Sequence, residues 1–555
     1  MPYLKTSFQK IKPLIVSVFF ILFFQLGSTI HAQSNGFEVI KNMELMDQVF
    51  QHLEMYYVDV PQAGKMGKTA IDAMLKELDP YTVFYPESNI EDYRLMTTGQ
   101  YGGIGALIRK IGEFTFIAEP YEGNPAQKAG LKAGDKILSI DGKSMTGLPS
   151  DDVSSSLKGP KGTTIVVEVE RVNGSKEKIS VTRDEIKLPD VPYSGIIKDD
   201  IGYIKLNSFT QTASNDVRTA LLALKEKGMK SLVFDLRGNG GGLLMEAVNI
   251  VNLFVKKDQI VVTTKGRVAE ENRVYKTLNP PVDLDIPITI LIDEGSASAS
   301  EIVAGSLQDL DRGVVVGATS FGKGLVQRTY DLKYGSKVKV TIAKYYTPSG
   351  RCVQRLEYYD KEDGAKPKEV ADSLLKKFKT QNGRDVIDGR GIEPDVKVDE
   401  KELSRLTATI YANDLLFKFA SEYQQQHEKI SEPEVFELDN VAYNSFKQFV
   451  LESEFSYSTA SEEMLKKMKE TAEKEGFGED TKAEYEALMA KVVPSKERDL
   501  EKFKAEITDL LENEIISRYY YQRGRAIHSF RDDDVLKKAI EILKDTKQYN
   551  TILGK

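Results

Sequence analysis

Three serines two residues apart, Ser296, Ser298 and Ser300, sit in the run Glu294-Gly295-Ser296-Ala297-Ser298-Ala299-Ser300-Glu301, directly after the apolar stretch Ile288–Asp293. A buried strand that hands over to a helix through small residues leaves room for a substrate backbone. A serine at that point can act as a nucleophile, with the N–H of the next residue as an oxyanion donor. The same spacing also fits helix capping, because Ser followed three residues later by Glu satisfies the free amides of a first helical turn. A second run, Asp235-Leu236-Arg237-Gly238-Asn239-Gly240-Gly241-Gly242, follows the apolar Ser231–Asp235 and leads into another helical pattern. Such a turn presents backbone donors at a helix N-terminus, suited to a phosphate or to an oxyanion.

A third run, Gly317-Ala318-Thr319-Ser320-Phe321-Gly322-Lys323-Gly324, nearly matches a nucleotide-binding P-loop. It fails at Gly324, where a hydroxyl should hold magnesium, and the following Leu325–Tyr330 reads as strand where a P-loop needs helix. Nucleotide hydrolysis is therefore set aside. A lysine at 323 has another use as a general base, provided that burial and its neighbours bring it down from about 10.4 towards neutrality. The plain alternative is a solvated surface charge. The histidines, His31, His52, His427 and His528, are scattered and form no HExxH, and Cys352 is the only cysteine. Neither a zinc site nor an internal disulfide is expected, and no cofactor is called for.

Upstream, Gly102-Gly103-Ile104-Gly105-Ala106 opens a segment of short strands and glycine turns over residues 96–182. Converging N–H groups in such a loop make a nest for an anion, and a peptide carboxylate with its chain paired to a strand edge is a natural occupant. The run Asn124-Pro125-Ala126 to Gly130-Leu131, then Gly134-Asp135 to Ile140-Asp141-Gly142, resembles a PDZ domain. That resemblance implies a groove with Gly103, Ile104, Gly105 and Ala106 on one side and Val153 and Leu157, on a short helix near 149–157, on the other.

Taken together, Gly295–Ile302, Phe321–Gln327 and the preceding Asp235–Gly242 resemble the C-terminal processing peptidases, also called tail-specific proteases. Tyr346-Thr347-Pro348-Ser349-Gly350-Arg351 and Gly391-Ile392-Glu393-Pro394-Asp395-Val396 fit as well, and the resemblance spans about residues 40–400. It implies a Ser–Lys peptidase with Ser298 as nucleophile, Lys323 as general base and Gln327 orienting the lysine. The oxyanion hole would use the N–H of Ala299 with that of Gly240 or Gly241. Where the family often has proline after the asparagine this chain has Gly240, which leaves the second donor open. The implied substrates are proteins with free, apolar C-termini. The rival reading is a non-catalytic PDZ scaffold that binds protein tails.

The elements that must position these residues follow from pattern. Residues 183–400 alternate strands with helices, which argues an α/β core with a partly parallel sheet. Residues 33–95 show helical spacing (Phe50, Leu53, Tyr57; Ile71, Met74, Leu75) broken at Asp79-Pro80. Residues 401–555 read as a helical appendage rich in Lys and Glu, and self-association or an adaptor through the helical ends is left open. The expected organisation is thus a signal peptide over 1–32, a helical segment over 33–95, a PDZ domain over 96–182, the peptidase core over 183–400 and helices over 401–555. Lys5, Lys10 and Lys12 ahead of the apolar run Leu14–Phe24, with Ala32 beyond, match a secretory signal peptide, so an exported protein is expected, or a tethered one if the segment is retained. The formal net charge of −8 gives no reason to bind nucleic acid.

Overall fold

The computed structural model describes residues 36–358, 366–399 and 402–555. The segment read as a signal peptide lies outside them. No helix among the described residues is long and apolar enough to cross a membrane. The chain divides into a unit ending at Phe84 and a larger one from Tyr85 to Lys555. In the first, residues 36–56 are helical and are followed by α1 (Ala63–Lys76). The break expected at Asp79-Pro80 is a turn in which the Asp79 carboxylate accepts the N–H groups of Tyr81 and Thr82, both at 2.8 Å.

The larger unit opens with α2 (Ile90–Thr98), stopped by Gly99 at φ +69°, and then builds a small sheet. β1 (Gln100–Gly103) pairs antiparallel with β7 (Asp184–Lys187) as a separate ribbon. Between them β2 (Ala106–Ile111), β3 (Phe114–Pro120), β4 (Lys136–Ile140), β5 (Thr164–Glu170) and β6 (Lys176–Thr182) form an antiparallel sheet in chain order. α3 (Ser150–Leu157) lies across it. Period-two alternation buries Ile165, Val167 and Val169 against Val153 and Leu157, while the intervening residues of β5 are exposed or half-buried.

The core sheet has the order β8 (Tyr193–Lys198), β9 (Ile201–Lys205), β10 (Ser231–Asp235), β13 (Ile288–Ile292), β14 (Val314–Gly317) and β17 (Val396–Lys397). β8 and β9 are antiparallel, and the remaining pairs are parallel. β10 and β13 are continuous apolar runs because both faces of this sheet are covered. Leu232, Phe234, Ile288 and Ile290 pack beneath α4 (Ala213–Glu226), α5 (Leu244–Asn252) and α6 (Ala299–Asp309). β11 (Ile260–Gly266), β12 (Arg273–Lys276), β15 (Leu325–Asp331) and β16 (Lys337–Tyr346) pair antiparallel beside it.

The region after 401 is more than an appendage. α7 (Arg405–Ala412), α8 (Leu415–Gln426), α9 (Asn440–Glu452), α10 (Ala460–Glu475), α11 (Lys482–Val492) and the long α12 (Lys504–Ser529) are helical, and a core of Leu416, Phe419, Phe446, Leu511 and Ile515 joins α8, α9 and α12. α13 (Asp534–Lys544) and α14 (Thr546–Ile552) then return to the core. Leu536, Ala539 and Ile542 cover the second face of its sheet against Ile201, Tyr203, Val233 and Leu291. Burying an apolar side chain of this size fully contributes about 1.5–3 kcal/mol, so this helix pair belongs to the core's own stability.

Candidate active site

What their hydroxyls do separates the three serines. Ser296 and Ser300 are fully buried. Ser296 Oγ donates to the Leu236 carbonyl at 2.9 Å, and Ser300 Oγ donates to the Asn239 carbonyl at 2.8 Å. Both fasten the start of α6 to the glycine loop after β10. Ser298 is half-buried and lines a cleft of about 620 Å³. Its backbone stands at φ +56°, ψ −110°, immediately before α6. Such a conformation costs a non-glycine residue about 1–3 kcal/mol and persists only where the surroundings impose it. Here the Ser298 carbonyl accepts from Ile302 N–H at 2.9 Å and Tyr345 Oη at 3.1 Å, while its N–H donates to Glu301 Oε2 at 2.8 Å.

Glu301 holds more than the cap that the sequence suggests. Its carboxylate is buried and takes four hydrogen bonds. Oε2 accepts from the N–H groups of Ser298 (2.8 Å) and Lys323 (2.9 Å), and Oε1 from Gly322 N–H (2.7 Å) and Ser320 Oγ (2.6 Å). One side chain thus joins the backbones at 298 and 323. Burial pushes its pKa upward, and the four donors oppose that rise. Ser320 is held in turn, because its Oγ accepts Ile392 N–H at 2.7 Å, and a Cβ on Gly391 would come within 2.7 Å of that oxygen. The Gly391–Val396 motif therefore braces this junction.

Lys323 lies between β14 and β15, half-buried, and lines the same cleft. The glycines beside it are sterically required: a Cβ on Gly322 (φ +87°) would meet Arg355 Cβ at 2.5 Å, and one on Gly324 would meet the Gln354 nitrogen at 2.8 Å. Gln327, on β15, also lines the cleft, and its Nε2 donates to Thr341 Oγ1 at 3.2 Å. The expected strand over Leu325–Tyr330 is present as β15, which removes the P-loop geometry.

Ala299, Gly240 and Gly241 also line the cleft. Gly241 N–H is taken by Asn239 Oδ1 at 2.9 Å, and a Cβ there would meet the Ala297 carbonyl at 2.7 Å and Ser298 Cβ at 2.8 Å. A Cβ on Gly240 would meet nothing within 4 Å. The Asn239 carbonyl also accepts Ala297 N–H at 3.0 Å, so the glycine loop and the serine turn are stitched together. At the root of the loop Asp235 is fully buried, which alone would raise its pKa. Arg237 and Lys205 outweigh that and hold the carboxyl well below the usual aspartate range.

In the strand-rich segment a smaller cleft of about 170 Å³ runs between β2 and α3, lined by Tyr101, Ile104, Ala106, Leu107, Ile108, Ser154, Leu157 and Lys158 with Leu95 and Leu188. Ile104, Ala106 and Leu157, singled out in the sequence, are among these lining residues. Val153 does not line the cleft; it is fully buried in the sheet's core, because it faces inward from the helix. Gly103 belongs to β1, and Gly105 adopts φ +72°, where a Cβ would meet Asn124 Cβ at 2.6 Å.

Sequence reasoning missed Tyr345, which lines the larger cleft, and gave Glu301 a lesser role. The only signal for Tyr345 was its position just ahead of the Tyr346–Arg351 motif.

The description "Peptidase family S41" matches residues 200–360, "PDZ domain" matches 116–171, and "Probable PDZ-protease, C-terminal helical domain" matches 406–543. The chain is 36% identical over 350 residues to a "Carboxy-terminal-processing protease" of Bartonella bacilliformis, covering 61% of this chain and 80% of that protein. It is 36% identical over 314 residues to a "Probable CtpA-like serine protease" of Staphylococcus haemolyticus, covering 56% of this chain and 62%, under two thirds, of that protein. Among solved structures, a photosystem II D1 C-terminal processing protease aligns at 27% identity and TM-score 0.35, over 63% of this chain and 92% of that one. The helices after 401, for which the sequence offered no counterpart, thus have one.

Proposed function

The chain belongs to the carboxy-terminal-processing protease family, and from that premise we propose that it is an exported serine endopeptidase that selects free protein C-termini through its PDZ groove and cuts by a Ser298–Lys323 dyad. The observation that carries the reading is the contrast among the serines. Ser296 and Ser300 spend their hydroxyls on carbonyls, whereas Ser298 lines the cleft that Lys323 and Gln327 also line. Uncharged Lys323 Nζ takes the proton as Ser298 Oγ attacks the scissile carbonyl. The tetrahedral oxyanion is held by Ala299 N–H and by Gly240 N–H, since Gly241 N–H is engaged by Asn239. Collapse expels the amine, which takes the proton from Lys323, and leaves an acyl-enzyme on Ser298. Water, deprotonated by the same lysine, releases the second product. Gln327 keeps the lysine aimed at the serine. The groove formed by Ile104, Ala106 and Leu157 with the Gly103–Gly105 loop receives an apolar tail and its carboxylate. The division into signal peptide (1–32), helical segment (33–95), PDZ domain (96–182), peptidase core (183–400) and helical region (401–555) is part of the same reading.

The test compares cleavage of a peptide with an apolar C-terminus by the wild type and by Ser298→Ala, with the C-terminus free or amidated. Cleavage that disappears in the variant and weakens on amidation supports the reading. Equal cleavage by both proteins refutes it in favour of a contaminant or a scaffold.

A further inference from the structure

The glycine loop that carries one side of the cleft is gripped from outside the peptidase core. Arg237, two residues beyond β10, donates through Nη2 to Asp235 Oδ2 and to Asp533 Oδ2, both at 2.6 Å. Asp533 stands between α12 and α13, in the C-terminal helical region, and its side chain is 11% exposed. The loop beyond Arg237 is tied link by link to the serine turn. Gly238 N–H donates to Asp293 Oδ1 at 2.8 Å, Asn239 Nδ2 donates to the Leu206 carbonyl at 2.8 Å, and the Asn239 carbonyl accepts from Ala297 N–H and Ser300 Oγ. A shift of the Arg237 guanidinium is therefore carried to Gly240 and to the start of α6.

The segment that delivers Asp533 is anchored at both ends. Where it begins, α12 is broken at Tyr521 (φ +54°, ψ −154°), and there the Tyr521 hydroxyl meets Gln127 Nε2 of the PDZ domain. One turn on, Arg525 Nη2 donates to the buried Glu119 Oε2 at the end of β3, at 3.2 Å. Further along, the Phe530 ring packs edge-on to Tyr203 and Tyr193, with centroids at 4.8 and 5.4 Å, and Tyr203 Oη donates to Asp235 Oδ2 at 2.6 Å. Residues 521–533 thus form a strut from the PDZ domain to the root of the glycine loop.

We propose that Asp533 is a positioning residue for catalysis, acting through Arg237 to fix the glycine loop, so that the C-terminal helical region completes the active site. The inference rests on the peptidase reading above. It gives residues 401–555 a role in the chemistry that reaches beyond tail binding.

Asp533 separates its two duties by oxygen. Oδ1 caps α13 by accepting Leu536 N–H at 2.8 Å, and Oδ2 holds Arg237. Asn caps as well as Asp, so Asp533→Asn keeps the helix start and removes the charged grip. In the full chain, kcat for an internally quenched peptide with a free C-terminus is expected to fall about tenfold, as suits a lost charge-assisted bond, with KM nearly unchanged and a thermal midpoint lowered by a few degrees that still leaves the enzyme folded at the assay temperature. Asp533→Ser, which also caps, is expected to give the same loss. Asp532→Asn neutralises the neighbouring exposed charge and should match the wild type. In an Arg237→Ala background Asp533→Asn is expected to cost nothing further, because both act on one loop. A folded Asp533→Asn with wild-type kcat, a fall in thermal midpoint that accounts for the lost rate, or losses that add in the double variant would each overturn the inference. Ser298→Ala is assayed alongside: cleavage undiminished there brings down the peptidase reading and this inference together, whereas a dead Ser298→Ala with an unaffected Asp533→Asn brings down this inference alone.

Discussion

Replacing Glu301 with glutamine changes one atom and tests whether Ser298 and Lys323, the proposed nucleophile and base, are held by a shared carboxylate. The carboxylate faces four donors, two on each oxygen. An amide offers one accepting oxygen, so its NH₂ must point either at the N–H groups of Ser298 and Lys323 or at Gly322 N–H and Ser320 Oγ. Two buried donors lose their acceptor in either case. Each costs about 1–3 kcal/mol, and part is returned because the neutral amide is cheaper to bury than a carboxylate. A net loss of about 2–4 kcal/mol corresponds to a fall of roughly 5–15 °C in thermal midpoint. The effect on rate should be of similar size in free energy. Ser298 sits at a strained φ of +56° that only its surroundings maintain, and a displacement of about 1 Å at the reacting atoms costs roughly 100-fold in kcat. Scanning calorimetry and steady-state kinetics on the purified variant measure both quantities. A Glu301→Gln protein with unchanged midpoint and kcat would refute the shared-carboxylate reasoning.

Three further outcomes follow from the same geometry. Gly241→Ala should abolish cleavage, since its Cβ would lie 2.7 Å from the Ala297 carbonyl at a φ of +98°, whereas Gly240→Ala, with open space around the Cβ, should stay within a few-fold of the wild type; kcat/KM for the two variants checks this. Beneath the acid limb that protonation of the base Lys323 imposes, kcat should fall a second time above the ordinary glutamate range, because burial raises the pKa of Glu301 and its protonation removes an acceptor from the serine–lysine junction. For a carboxyl raised in the folded state, the stabilising contribution is present below its unfolded value and is lost as pH rises through the folded one. This additional acid loss should therefore come without unfolding at that group, and it alone should vanish in Glu301→Gln, leaving the lysine's own acid limb, as pH–rate profiles and circular dichroism would show. Ser154→Glu places a charge on the groove wall without entering the core; KM for a substrate with a free apolar C-terminus should rise about tenfold or more, while kcat for a saturating peptide changes little.

Much of the lining of the candidate cleft was legible because its parts are local signals. Glycines beside Lys323, small residues around Ser298 and a glycine turn after a buried strand each declare a close backbone approach, and the order of the motifs supplied the rest. The apolar runs at Ser231–Asp235 and Ile288–Ile292 also read directly as strands buried on both faces. What stayed hidden depends on contacts distant in the chain. Glu301 follows Ser298 by three residues and so looked like a cap, but three of its four bonds go to residues some twenty positions downstream. Val153 has the spacing of a groove residue, yet the rotation of α3 turns it into the core. The lysine- and glutamate-rich pattern after 401 announces helices and conceals that α13 carries Leu536, Ala539 and Ile542 onto the core sheet and Asp533 onto Arg237.

The most direct measurement of the central claim is active-site labelling with a fluorophosphonate, followed by mass spectrometry of the modified peptide. A single phosphonyl adduct on Ser298 is expected, formed at least about 100-fold more slowly in Lys323→Ala, in keeping with the 10²–10⁴-fold worth of a general base. An adduct on Ser296 or Ser300, or a labelling rate at Ser298 that does not change when the lysine is removed, would contradict the account.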